Sequence, residues 1–231
     1  MWSSKSWLVW LLCGCWCLSA FAQSDWTLVK DDDGIQVYHR YQNRSRVPEV
    51  KITFSVRSSL AGAVTLINDA SRYPEWVYSC EEAYVLDTLQ PGHFYYYSRT
   101  DFPLWLADRE FVLRASTWQD SSGRVYLDAR AVPDYLPPVA GRIRVQTSFS
   151  RWLLTPQPGG QLLISYVLCA DAGGGIPDWL TRAAINVGPV RSCKLFRAMV
   201  EAPPYQAMRL SWIEEPHARQ LPASAQAPEK K

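Results

Sequence analysis

The residues with the most chemical potential are three glycines, Gly173, Gly174 and Gly175, set just before Pro177. Backbone N–H groups of a glycine loop at a helix start can cradle a phosphate. That chemistry also needs a Lys-Ser or Lys-Thr pair after the loop, and none follows; the spacing does not fit Gly-x-Gly-x-x-Gly either. The glycines therefore read as a tight connection in which positive φ lets the chain reverse. Pro177 suits the first turn of the helix that follows.

Charge is the next candidate. Arg99, Asp101, Arg109, Glu110, Arg130 and Arg144 lie in or beside apolar strand patterns. Most are expected to face solvent. One facing inward would need a partner, since an unpaired buried charge is very costly. His39, His93 and His217 are scattered, and no Gly-x-Ser-x-Gly elbow accompanies them. No carboxylate pair stands out as an acid and a base, so no catalytic residue is assigned. Cys80, Cys169 and Cys193 show no Cys-x-x-Cys spacing, and no metal or other cofactor is expected. An oxidising compartment would allow one disulfide among the three, with the pairing left open. Asn43-Arg44-Ser45 is a glycosylation sequon that matters only in a eukaryotic secretory route.

Lys5, the apolar run 7–17 and Ala20-Phe21-Ala22 form a signal-peptide pattern, with cleavage expected after Ala22. The run is short for a membrane span, which needs about 20 residues. Export to the periplasm is the expectation. Secretion, or lipid anchoring through Cys15, ranks below it. About 210 residues then remain, enough for one domain with a sizeable core. The formal charge of the whole chain is +2, and no basic stripe interleaves with aromatics, so no nucleic-acid partner is expected.

Several elements must position these residues. Residues 35–40 form a short strand, and 49–57 alternate Val50, Ile52, Phe54 and Val56 on one face. Residues 58–69 read as a helix capped by Ser58 or Ser59, followed by a turn at Tyr73-Pro74-Glu75-Trp76. Strands at 83–90 and 93–100, 109–118 and 124–132, and 142–155 and 161–170 pair across three Gly-containing turns, an antiparallel meander. A long helix reaches about Val200, with Leu180, Ala183, Val187, Val190 and Met199 near one face. Gly188-Pro189 interrupts it, as a hinge or as a fixed bend. The Pro- and Ala-rich residues 203–231 read as a disordered tail, which leaves 23–202 as the domain.

Several segments resemble, in order, those of the steroidogenic-acute-regulatory-protein-related lipid-transfer (START) domain family. They are Gly34-Ile35-Gln36-Val37-Tyr38; Tyr73-Pro74-Glu75-Trp76 followed by Cys80; Asp108-Arg109-Glu110-Phe111-Val112; Gly141-Arg142-Ile143-Arg144; and Gly173-Gly174-x-Ile176-Pro177-x-Trp179-Leu180. The likeness covers residues 26–200. It departs from the family's long form in having little room for a helix before the first strand.

The resemblance implies an α+β helix-grip fold, a curved antiparallel sheet wrapped around a long C-terminal helix and enclosing a hydrophobic cavity. It implies a monomer that binds, and can transfer, a lipid or other hydrophobic ligand in an internal cavity gated by the C-terminal helix, with transient membrane contact and no catalysis. Arg144 and then Arg99 become the expected anchors for the ligand's polar head, with Trp105, Trp179, Leu180, Ala183 and Val187 as further ligand contacts. Phe102, Leu104, Gly173, Gly174, Gly188 and Pro189 become gate or hinge positions. Two alternatives stay open: an enzyme of the polyketide cyclase or hydrolase type on the same fold, and an interaction module with a filled interior.

Overall fold

A computed structural model describes residues 25–41, 47–102 and 105–216, and in the last long helix only the backbone of 178–186. Expectations on residues 1–22, the sequon, Leu104 and 217–231 lie outside the described residues. So do those on the side chains of Trp179, Leu180 and Ala183.

The chain opens with a hairpin, β1 (Thr27–Asp32) and β2 (Ile35–Arg40). Its turn residues Asp33 and Gly34 both have positive φ, 57° and 70°, the twist that a two-residue hairpin favours. β1 escaped sequence reading because it is an exposed, polar edge with no alternation. β3 (Glu49–Arg57) buries Val50, Ile52, Phe54 and Val56, as its alternation predicts. α1 (Leu60–Asn68) and the short α2 (Tyr73–Trp76) lead into β4 (Cys80–Gln90), β5 (His93–Thr100), β6 (Arg109–Gln119) and β7 (Val125–Ala131). β8 (Ile143–Arg144), β9 (Thr147–Gln157), β10 (Gln161–Asp171), α3 (Asp178–Val200) and α4 (Pro203–Gln206) complete the order.

The strands form one open, curved sheet in the order β1-β2-β3-β10-β9-β7-β6-β5-β4. The single strand expected over 142–155 is two pieces. β7 ends opposite Leu113, so the first residues of β6 still need backbone partners. β8 supplies them in parallel: Ile143 N donates to Asp108 O at 2.9 Å and Val145 N to Glu110 O at 3.0 Å. The chain then turns and β9 runs antiparallel to β7.

α3 lies across the inner face and buries Val190, Cys193, Phe196 and Val200. Each large side chain so buried stabilises the fold by about 1.5–3 kcal/mol. The Phe196 ring sits 5.3 Å from both Trp76 and Trp152 and 6.1 Å from Phe54. Lys194 and Arg197 reach Asp32 and Asp33 of the first hairpin at 2.7 and 3.0 Å, exposed pairs that set position more than stability.

The stretch from residue 203, expected from its composition to be disordered, is ordered as far as residue 216. Residues 203–216 pack on the domain, with Tyr205 and Ile213 buried. Few apolar residues do this, each in a prepared place, which averaged composition cannot register. The Glu215 carboxylate accepts from Leu60 N at 3.1 Å and Ala61 N at 2.8 Å, while Ser59 Oγ accepts from Gly62 N at 3.0 Å. The first turn of α1 is thus capped both by its own Ser59 and by the far C-terminal segment. Glu215→Ala should cost about 1 kcal/mol, the usual worth of a cap and of a favourable helix-dipole charge. A urea midpoint identical to that of the parent would refute the cap.

Candidate functional site

The inner face of the sheet changes character along its strands. Ladder registers place Phe54, Val125, Leu127, Trp152, Leu154 and Ile164 on that face, all buried. Toward the end of β10 that enters the glycine hinge, the same face carries Ala131, Ser148, Ser150, Tyr166, Leu168 and Ala170, none fully buried. Small side chains predominate on that part of the face, below the hinge. A separate cleft of about 420 Å³, lined by Arg57, Gln157, Gln206, Arg209 and Glu215, is an open polar groove at the other end of β10. It does not suit an apolar guest.

Two tyrosines, Tyr73 and Tyr166, stand beside this part of the inner face. Each is partly exposed, yet burial raises the hydroxyl pKa of both above the ordinary 10.0, in Tyr73 well above it. The Tyr73 hydroxyl donates to Ile67 O at 2.7 Å, and its ring meets Tyr96 edge-on at 5.6 Å. Tyr166 stacks on Trp152 at 4.1 Å. None of these residues was singled out as a contact from sequence; alternation could have placed Trp152 and Tyr166 on one face of β9 and β10, but not beside Tyr73.

The inward arginine is Arg109. It shares the inner face of β6 with Leu113 and Ala115 and is 0 % exposed. Its Nε donates to Ala172 O at 3.1 Å, Nη2 to Gly173 O at 3.0 Å and Nη1 to Ala107 O at 2.6 Å. The guanidinium also lies 4.2 Å from the centre of the Phe102 ring, a cation–π contact. No carboxylate pairs with it among the described residues. Neighbouring Asp108 is taken by Arg99 at 2.7 Å. Burial pulls the Arg109 pKa below its ordinary value, against the opposing pull of Asp108.

One side chain thus joins the loop at 102–107 to the glycine hinge. Gly173, Gly174 and Gly175 have φ of 59°, 70° and 61°. A Cβ on Gly174 would lie 2.8 Å from Arg109 Nη2 and 2.6 Å from Ile143 Cδ1. Gly174 thus serves close approach to the arginine, while all three glycines serve chain reversal.

Arg144 and Arg99 do not reach the inner face, which corrects their expected role as anchors. β8 aligns Arg144 with Glu110 on the opposite face of β6. Arg144 contacts Glu110 at 2.9 Å and donates to the carbonyls of Pro133, Leu136 and Pro137 at 2.6, 2.7 and 3.1 Å. Glu110 also accepts from Tyr97 OH and Val139 N, each at 3.0 Å. The pair pins the 133–142 segment to the outside of the sheet. Arg99, on the same outer face, joins Asp108 and Glu82.

Two further contact expectations are corrected by exposure. Trp105 is 78 % exposed and Val187 49 %, so neither lines the interior. Val187 turns away because the buried stripe of α3 is centred on Val190, Cys193, Phe196 and Val200, about a third of a helical turn round. Gly188 is buried, and a Cβ there would stand 3.0 Å from the Tyr78 ring. Pro189 lies within a continuous α3. Cys80, Cys169 and Cys193 are all free thiols.

His39, paired with Val50, lies on the inner face of β2, and its Nε2 has no partner. Burial lowers its pKa from 6.5. The native state therefore resists a proton that the unfolded chain accepts. Stability should be full above pH 6.5 and fall as pH drops toward the native pKa. His39→Gln should remove that component from a plot of denaturant midpoint against pH; an unchanged slope would show that other groups cause it.

Residues 19–204 match the family model described as the START domain. A Pseudomonas aeruginosa protein, recorded as uncharacterized protein PA1579, is 28 % identical over 177 residues, spanning 77 % of this chain and 87 % of its own. Among solved structures, the STAR-related lipid transfer protein (fragment 25-204) from Xanthomonas axonopodis superposes with a TM-score of 0.71 at 25 % identity. That match covers 77 % of this chain and 99 % of the other. Human STARD10 gives a TM-score of 0.68 at 17 % identity, over 80 % and 77 % of the two chains, a likeness of fold.

Proposed function

The chain belongs to the START domain family, and on that premise we propose that it binds a single lipid or other hydrophobic molecule in the space beneath α3 and carries it between membranes without chemical change. The carrying observation is the inner face near the hinge, where the small residues Ala131, Ser148, Ser150 and Ala170 share the face with Tyr166 and Leu168. An acyl chain leaves a bilayer at a cost of about 0.8 kcal/mol per CH₂. An apolar chamber offsets most of that term by geometry alone.

The Arg109 latch and Gly188-Pro189 supply the moving parts of this proposal. Opening needs the 102–107 loop and the 172–174 segment to part, and three hydrogen bonds from one guanidinium hold them together. Exposed Trp105 sits beside that latch and suits an interfacial membrane contact. The signal pattern ending at Ala22 supports export and periplasmic delivery as part of the same proposal.

Native mass spectrometry of the protein isolated from producing cells, followed by lipid extraction, is the test. The expected spectrum shows a chain beginning at Gln23 and a discrete bound lipid, and the protein moves that lipid between vesicles. A protein with no bound lipid and no transfer would overturn carriage, and an intact N-terminus would overturn cleavage.

A further inference from the structure

Trp76 is 4 % exposed, and its indole Nε1 has no hydrogen-bond partner. Native proteins seldom leave a buried donor unpaired, because the lost hydration is not repaid. Three aromatic rings stand around it. The ring lies 5.4 Å from Tyr73, 6.0 Å from Trp152 and 5.3 Å from Phe196. Tyr73 stands beside the inner face near the hinge, and Trp152 stacks on Tyr166, which lies on that face. The Tyr73 hydroxyl already has its acceptor in Ile67 O. Hence this aromatic cluster holds a spare N–H donor next to the proposed ligand space.

We propose that the Trp76 Nε1–H donates to an oxygen of the bound ligand, so that the preferred ligand carries an uncharged acceptor, such as an ester, ketone or hydroxyl oxygen, within its apolar body. This rests on the carriage reading above. A plain hydrocarbon would leave the donor unpaired. A carboxylate or phosphate would meet no cation among Tyr73, Trp76, Trp152, Tyr166 and Phe196, and an uncompensated buried anion is disfavoured. A lone water there would need two or more polar partners, which this aromatic wall offers poorly. Arg109 is a separate feature at the hinge, committed to three backbone carbonyls.

The test uses the full chain and three probes of equal length: hexadecane, 2-hexadecanone and palmitate. Affinities come from native mass spectrometry, and the Trp76 indole resonance from ¹⁵N-edited NMR of the unaltered protein. The expected result is about tenfold tighter binding of the ketone than of the alkane, the worth of one good hydrogen bond. The ketone should also shift the indole resonance while hexadecane does not. Trp76→Phe keeps a ring and removes the donor, and should bind the two probes alike. Equal binding of ketone and alkane by the parent, a preference that survives in Trp76→Phe, or an unmoved indole signal would each overturn the proposal. Palmitate moving the indole signal as far as the ketone would overturn the requirement for an uncharged acceptor. Binding of none of the three would instead bring down the carriage reading, and this proposal with it.

Discussion

Arg109→Met is expected to unlatch the hinge. The carbonyls of Ala107, Ala172 and Gly173 each lose a donor, and a buried polar group left unpaired costs about 1–3 kcal/mol. Water can reach part of an opened hinge, so a loss near 3 kcal/mol is the expected sum. The diagnostic result is local. Amide exchange across residues 172–175 should accelerate more than exchange in the β3–β10 ladder, and bound lipid should leave faster. Arg109→Lys should recover only part of the effect, because an ammonium lacks the planar fan that reaches three carbonyls at once. Hinge amides exchanging no faster in Arg109→Met than in the parent would show that the arginine is packing and not a latch.

Arg144→Met should be at least as damaging but in a different way. It strands Glu110, which is 0 % exposed, and breaking a buried pair from one side typically costs about 3–5 kcal/mol. Replacing both partners, as Glu110→Leu with Arg144→Met, should restore much of that loss, since no charge then remains buried. Thermal unfolding of the two single variants and the double variant gives the coupling directly. Lipid affinity of the folded protein should be unchanged in the double variant. A double variant that folds but no longer holds lipid would return Arg144 to the anchor role that its position denies it.

These two arginines show where sequence could and could not lead. The strand and helix pattern was legible because β3 alternates cleanly and the three hairpin turns carry their glycines. The order of segments was enough to reach the family. Side assignment failed at Arg144 because β8 is only two residues long and pairs in parallel. A short parallel insertion has no periodicity of its own, so its face is set by a tertiary partner. For Arg109 the signal was present: it falls in step with Leu113 and Ala115 on one strand. Its partners were invisible because they are backbone carbonyls, which every residue carries. The aromatic cluster went unread for a similar reason. Tyr73, Trp76, Trp152 and Tyr166 come from distant stretches, and only folding brings them together.

The place of β10 in the sheet has a kinetic meaning. β3 finds its second neighbour only in β10, roughly a hundred residues further along the chain, and such non-local pairings are slow to form. The β1–β3 unit and the β4–β7 meander can each pair locally, but among the described residues no strands join them other than β9 and β10. A ribosome-bound chain therefore holds two unjoined half-sheets until β9 and β10, which ends at Asp171, have emerged. Their apolar faces then depend on speed, or on a chaperone, to stay out of each other's way.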